Sequence, residues 1–251
     1  MLHRIIYLII IFWVLLVCSP AQAQNSNEGK AVDPKADKIL QQMSEYLKSC
    51  RQFTVHADTS IDAILDTGYK LQMGRSADVY VQRPNRLRVN IKTNVGDQQF
   101  FYDGEHITLF GKKVNYFARS WAPATIESAL DYAEQSLGLV APAADLLYTN
   151  SYSLLTEDVR SSHYFGLTDV LGVQCHHLAF RAEQTDWQIW IENSKTPFPR
   201  KFVITSKFVA GAPQFTALFS KWNASAQLQD SMFVFVPPKG AKNIEFLRYD
   251  K

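Results

Sequence analysis

The fold is decided by the stretch GVQCHHLAFRAEQTDWQIWIENSKTPFPRKFVIT, residues Gly172 to Thr205. It predicts three strands and two turns, with a Pro-Phe-Pro sequence marking the second turn. Because side chains alternate across a strand, the middle strand has one face with Trp187, Ile189 and Ile191 and another with Gln188, Trp190 and Glu192. We expect the Trp187 face to be the concave, covered one, since the next two residues after Trp187 on this face are both isoleucine.

Strands with one apolar and one polar face recur on both sides of this stretch. Apolar and polar residues alternate over 53–58 and 86–92, with turn signals between such segments. Parallel sheets bury both faces and lose this alternation, so the pattern predicts an antiparallel meander covered on one side. After a break the predicted strands resume near Ser162 and continue over 173–181, 185–192, 201–208, 214–222 and 232–236.

Helices are predicted at two places. Asp33 is a suitable N-cap and Pro34 a suitable first helical residue, and an apolar stripe follows at three- and four-residue spacing: Ala36, Ile39, Leu40, Met43 and Leu47. A second helical insertion begins at Pro123 and ends at Gly138, and a shorter piece covers 141–148. The order helix, strands, helices, strands predicts an α+β fold with the helices on one face of an antiparallel sheet.

The N-terminus predicts export. Arg4 precedes thirteen apolar residues, Ile5 to Val17, and Ala21-Gln22-Ala23 has the small-x-small pattern of a cleavage site. Residues 1–23 are therefore expected to be a cleaved signal peptide, 24–32 a disordered leader and 33–251 a single domain. The apolar run is shorter than the ~20 residues of a membrane-spanning helix, so the mature chain is not expected to span a membrane. Lipid attachment at Cys18 is disfavoured by the bulky Val17.

Charge and cysteine content restrict the function further. Lys and Arg number 26 and Asp and Glu 24, and this near balance offers no strong field for nucleic acid. Two cysteines remain after processing, Cys50 and Cys175. In an oxidising compartment they form either a disulfide or two separate buried thiols.

No catalytic motif is present. The sequence contains no G-x-S-x-G, H-E-x-x-H, C-x-x-C or glycine-rich phosphate loop, so we expect no enzyme and no cofactor. Cys175, His176 and His177 offer metal-ligand chemistry, but His176 points to the opposite face of the strand from the other two. We therefore expect no metal site here, since zinc needs three or four converging ligands.

Several motifs carry a family resemblance: Asp186 to Glu192, Pro197 to Lys201, Pro213 to Phe215, Phe233 to Ala241, Gly172 to Phe180 and Phe101 to Gly104. Together they resemble DUF2092, a family of predicted periplasmic proteins of unknown function. More distantly they are similar to the lipoprotein carrier LolA and the outer-membrane receptor LolB. The resemblance implies a LolA-like fold, which is a curved, unclosed antiparallel half-barrel with helices against its concave face. Cys50 departs from the family pattern.

A curved sheet that its helices fill incompletely retains an apolar pocket suited to a lipid or another acylated, lipoprotein-like ligand. The candidate lining residues are Leu87, Val89, Ile91, Phe101, Leu109, Trp187 and Ile189. The alternative at each of these positions is an ordinary filled core, because periodicity shows burial and not a void. Two other hypotheses are an envelope protein-interaction or stress-sensing module without a ligand and a metal-dependent hydrolase that uses Cys175 and the histidines.

Overall fold

The computed structural model describes residues 31–247, which form one open sheet with helices on its concave face. The strands are β1 (Gln52–Ile64), β2 (Lys70–Gln82), β3 (Arg86–Thr93), β4 (Gln98–Tyr102), β5 (His106–Gly111), β6 (Tyr116–Trp121), β7 (Ser161–Val170), β8 (Val173–Arg181), β9 (Thr185–Glu192), β10 (Pro199–Ser206), β11 (Gln214–Asn223) and β12 (Lys242–Ile244). Their order in the sheet is β12-β6-β5-β4-β3-β2-β1-β11-β10-β9-β8-β7, and neighbouring strands are antiparallel except for the pair β6 and β12. Because β7 and β12 lie at opposite edges, the sheet is not closed into a barrel.

Three α-helices accompany the sheet within the described residues: α1 (Pro34–Ser49), α2 (Ile126–Leu137) and α3 (Ser151–Thr156). Short 3₁₀ turns cover Ala144–Leu147 and Asp230–Phe233. The predicted α+β half-barrel is confirmed. None of the helices within 31–247 is long and apolar enough to cross a bilayer.

The start of α1 is as predicted. One carboxylate oxygen of Asp33 accepts the N–H groups of Lys35 at 2.8 Å and Ala36 at 3.3 Å, and the other accepts the N–H of Tyr164 in β7 at 3.1 Å. Burial alone would raise the pKa of Asp33, but these N–H groups lower it overall. The cap therefore fixes both the helix start and its position against β7. All five residues of the predicted stripe are buried.

The helices cover the concave face in two halves. The first half, the α1 cluster, packs α1 against β8, β9 and β10, and it contains Leu40, Met43, Leu178, Trp187 and Ile189. The second half, the α2 cluster, packs α2 against β1 to β5. Side chains that contact both halves are Tyr46, Phe219, Trp222 and Ala224. The predicted concave orientation of the Trp187 face is confirmed, since Trp187 is buried in the α1 cluster.

The C-terminal segment differs from the prediction. Residues 232–236 alternate as expected, with Phe233 and Phe235 buried and Val234 and Val236 exposed, but they pair with no strand of the described chain. The segment begins as a 3₁₀ turn and crosses the convex face, where Phe235 fits between the rings of β4, β5 and β6. The predicted strand is therefore wrong, because alternate burial here comes from side-chain packing without a hydrogen-bonded neighbour.

Two further boundaries differ. The second helix begins at Ile126, not near Pro123, because Thr125 and Ser128 form a capping box. Ala31, assigned to the leader from sequence, exchanges backbone hydrogen bonds with Arg160 and Ser162 beside β7. The predicted signal peptide and leader residues 24–30 lie outside the described residues.

Candidate functional site

The concave face encloses an apolar cavity of about 390 Å³. Its wall is the inward face of β1 to β5 and β11, and its roof is α2 with the loop after it. The volume falls within the ~300–1,000 Å³ typical of small-molecule sites. The lining residues include Val55, Ala57, Ala77, Val79, Leu87, Val89, Ile91, Phe100, Leu109, Leu130, Leu139, Val140, Leu146, Leu147, Phe215, Ala217, Phe219 and Trp222.

Small side chains account for the space. Ala57 and Ala77 are directly opposite each other on β1 and β2, and Ala217 lies on the neighbouring β11. All three line the cavity, whereas larger residues surround them. Protein interiors are otherwise close-packed, so three alanines at the centre of a wide sheet leave a void that the roof does not fill.

Two tyrosine hydroxyls hold the roof in place, one just before α2 and one in the middle of the helix. Gly138 ends the helix with φ 65°, a left-handed conformation that glycine adopts without strain. The Tyr102 hydroxyl donates to the carbonyl of Pro123, just before α2, and burial raises the pKa of Tyr102 to about 12. The Tyr148 hydroxyl donates to Asp131 of α2 at 2.8 Å, and burial together with this bond raises the pKa of Tyr148. These contacts hold the helix above the cavity.

Polar groups gather at one end of the cavity. Thr59 and Arg75 are register partners on β1 and β2, and Gln98 begins β4 at the same end. Arg75 and Gln98 are exposed. Val140, on the roof loop, is 67% exposed. The cavity therefore has an apolar interior and a polar, solvent-accessible mouth.

Four of the seven predicted lining residues lie together in the wall of this cavity: Leu87, Val89, Ile91 and Leu109. Three do not. Trp187 and Ile189 lie in the α1 cluster, and Phe101 is on the convex face under Phe235, with ring centroids 5.4 Å apart. The inward phenylalanine of β4 is Phe100, which is paired with Val89 and Leu109.

The alanines, Phe100 and the β11 residues are not among the residues predicted from the sequence. Phe100 shares a face with its cross-strand partners Val89 and Leu109, but that register is known only from the structure. The alanines offer no signal in the sequence, since a small residue in an alternating strand predicts burial as readily as a void.

The cysteines are free thiols in the structure. Cys50 is buried in the α2 cluster, and Cys175 is fully buried in β8. Burial raises the pKa of both, that of Cys175 to about 11. Of the two alternatives for the cysteines, the structure has the buried thiols and not the disulfide.

The histidines of β8 are separated as the alternation predicts. His177 stacks on Trp190 on the convex face, with ring centroids 4.2 Å apart. His176 lies on the concave face, where its Nδ1 is 3.0 Å from the Tyr164 hydroxyl and burial lowers its pKa. Within residues 31–247 no three His, Cys, Asp or Glu side chains are grouped as metal ligands.

A second, more polar groove of about 530 Å³ lies between α1 and the ends of β8 and β9. Its lining combines His176 and Tyr46 with Lys38, Glu45, Glu192 and Lys195. Because lysine and glutamate side chains both line it, the groove presents no single charge to a ligand.

Fold and cavity together define a class: an unclosed antiparallel half-barrel whose helices leave an apolar chamber on the concave face. The chain belongs to the DUF2092 family of predicted periplasmic proteins, whose family model matches residues 36–247. The motif resemblance found in the sequence is thereby confirmed, and the family description places the protein in the periplasm. No curated protein matches the sequence.

The chain is similar to several solved structures over most of its length, three of which follow. The lipoprotein LppX of Mycobacterium tuberculosis has a TM-score of 0.49 at 15% identity, covering 78% of this chain and 100% of its own. LprF of Mycobacterium bovis has a TM-score of 0.48 at 14% identity, covering 79% and 98%. The LolA superfamily protein NE2245 of Nitrosomonas europaea has a TM-score of 0.42 at 13% identity, covering 80% and 97%.

Proposed function

We propose that this protein is a non-catalytic periplasmic binding protein that holds or carries a lipid or another acylated ligand in the cavity of the concave face. The observation that carries the proposal is the cavity itself, which combines an apolar wall, an apolar roof and one polar mouth. An acyl chain in this chamber gains roughly 25 cal/mol for each Å² of apolar surface removed from water. Among the described residues, the lining offers no nucleophile paired with a base.

Filling the cavity tests the proposal. Ala77→Trp places an indole in the middle of the chamber, and Ser76→Trp places the same group one residue away on the opposite face of β2. We expect Ala77→Trp to weaken binding of the fluorescent probe 1-N-phenylnaphthylamine at least about tenfold, which corresponds to ~1.4 kcal/mol. Ser76→Trp should bind as the unmodified protein does.

Both variants are first compared by circular dichroism and urea denaturation, so that only folded protein is assayed. Equal probe binding by the two tryptophan variants would reject the cavity as the binding site. Failure of the unmodified protein to bind the probe, together with the absence of lipid in mass spectra of protein purified from its native envelope, would reject the proposed function.

A second candidate is an envelope protein-interaction or sensing module without a ligand, favoured by one surface. The tip of the β1–β2 hairpin and the neighbouring β10–β11 turn expose several large apolar side chains. Tyr69 is 71% exposed, Met73 60% and Phe208 74%. Clustered exposed apolar residues are typical of interaction sites. A photoreactive residue at position 73 that gives no protein adduct in intact envelopes would exclude this candidate.

A further inference from the structure

The cavity mouth carries a charged side chain, which indicates that the ligand has a polar headgroup as well as an apolar part. Among the described residues, the cavity lining contains a single charged side chain, Arg75, and no carboxylate. Arg75 is the register partner of Thr59 on β1, and Gln98 lines the same cavity from β4, two strands away. The Thr59 hydroxyl already donates to the backbone carbonyl of Arg75 at 3.4 Å, whereas the Gln98 amide is able to donate to a ligand. Arg75 and Gln98 are thus the exposed donors in the cavity lining.

Arg75 also lacks a protein partner. Within residues 31–247 its guanidinium makes no hydrogen bond, ion pair or ring contact, whereas Arg119 and Arg200 each face a carboxylate. Of the acidic residues in β1 and β2, Asp58 and Asp78 contact His56 on the opposite face, and Asp62 forms an ion pair with Lys70. The cation at the mouth is therefore free to bind an anion.

We infer that the ligand is an anionic amphiphile whose acyl chain occupies the cavity and whose carboxylate or phosphate is bound by Arg75. The inference rests on the function proposed above and specifies the class of its ligand. A guanidinium matches these anions with two parallel N–H···O bonds. Because Arg75 is exposed, the headgroup stays partly hydrated and avoids the cost of burying a charge. Gln98 adds a neutral amide donor to the same lining.

The test compares ligands that differ only in the headgroup. Displacement of 1-N-phenylnaphthylamine from the purified protein is measured with oleate, 1-oleoyl lysophosphatidate and oleyl alcohol. We expect oleate and the lysophosphatidate to bind about tenfold more tightly than oleyl alcohol, because a charge-assisted hydrogen bond contributes this much. Acetate and inorganic phosphate, which carry the headgroup chemistry without a chain, should not displace the probe.

Variants assign the preference to one residue. Arg75→Gln should reduce the ratio of oleate to oleyl alcohol affinity to about one, and Arg75→Lys should restore part of it, since lysine keeps the charge without the fork. Arg51→Gln is the matched control: this exposed arginine loses the same charge outside the cavity, and the ratio should stay at its original value.

The outcomes separate this inference from the function on which it rests. If oleyl alcohol binds as tightly as oleate, or if Arg75→Gln keeps the preference, the anionic ligand is wrong while the cavity proposal stands. If acetate or phosphate alone displaces the probe, a free-anion site replaces the amphiphile. If no long-chain compound displaces the probe, the cavity proposal fails as well.

Discussion

Replacing Trp187 with alanine is expected to lower the free energy of unfolding by about 3–5 kcal/mol, the cost typical of truncating a buried tryptophan. The side chain is 5% exposed. Its ring stacks on Phe180 with centroids 3.9 Å apart and meets Phe202 edge-on at 5.7 Å. Since α1 packs on the same cluster, the alanine variant loses contacts within the sheet and between sheet and helix. The change in the free energy of unfolding is measured by urea denaturation, monitored through the circular dichroism of the backbone, which does not depend on the tryptophan.

Trp190 provides the matched control on the same strand. Its indole lies on the convex face, stacked on His177 and contacted by the Lys201 ammonium group 4.6 Å from the ring centroid. Cross-strand pairs of this kind contribute up to about 1 kcal/mol, so Trp190→Ala should cost far less than Trp187→Ala. Equal losses for the two variants would contradict the assignment of the faces.

Trp187 and Trp190 show which features of the fold the sequence predicts correctly. Alternation divided β9 into two faces, and the isoleucines beside Trp187 identified the inner one. The bounds of β8 and β9 also agree with the prediction, Val173–Arg181 and Thr185–Glu192. These features follow from local pattern, because every second residue of a strand shares an environment.

The cavity depends on information that a local pattern does not carry. Ala57, Ala77 and Ala217 come from three strands, and only the sheet register brings them together. Trp187 and Ile189 were expected to line the pocket because they are apolar and concave, but α1 fills that half of the sheet. Which half is filled depends on helix placement. Likewise the sheet register places Phe101 on the convex face, and its burial there comes from the distant Phe235.

The ion pair between Arg83 and Glu127 is a further long-range feature that local sequence patterns do not predict. Arg83 precedes β3, and its guanidinium lies 3.6 Å from the carboxylate of Glu127 in the first turn of α2. The arginine side chain is only 8% exposed, and its nitrogen atoms have no hydrogen-bond partner among the described residues. Burial lowers the pKa of Arg83, and the charge of Glu127 opposes that effect. The Glu127 carboxylate therefore stabilises the charge of the Arg83 guanidinium, which has no hydrogen-bond partner among the described residues.

Glu127→Ala is accordingly expected to destabilise the protein by about 3 kcal/mol, because removing one partner leaves a buried charge unpaired. Replacing both residues, Arg83→Met with Glu127→Leu, should recover much of this loss, since two apolar groups of similar volume need no compensation. Urea denaturation of the single and double variants gives both values. A double variant as unstable as Glu127→Ala would show that the loss comes from packing and not from the charge.

The pH dependence supplies an independent check with a definite sign. Burial would raise the pKa of Glu127, but the N–H groups of Glu127 and Thr149 and the charge of Arg83 bring it below 4.5 overall. A carboxyl group with a lowered pKa stabilises the folded state above its unfolded pKa and loses that effect as the pH falls through its folded pKa. The stability difference between the unmodified protein and Glu127→Gln should thus be full near neutral pH and shrink below 4.5. A difference that stays constant through this range would mean that the ionised carboxylate of Glu127 does not stabilise Arg83. In that case only hydrogen bonds and packing would hold α2 above the cavity.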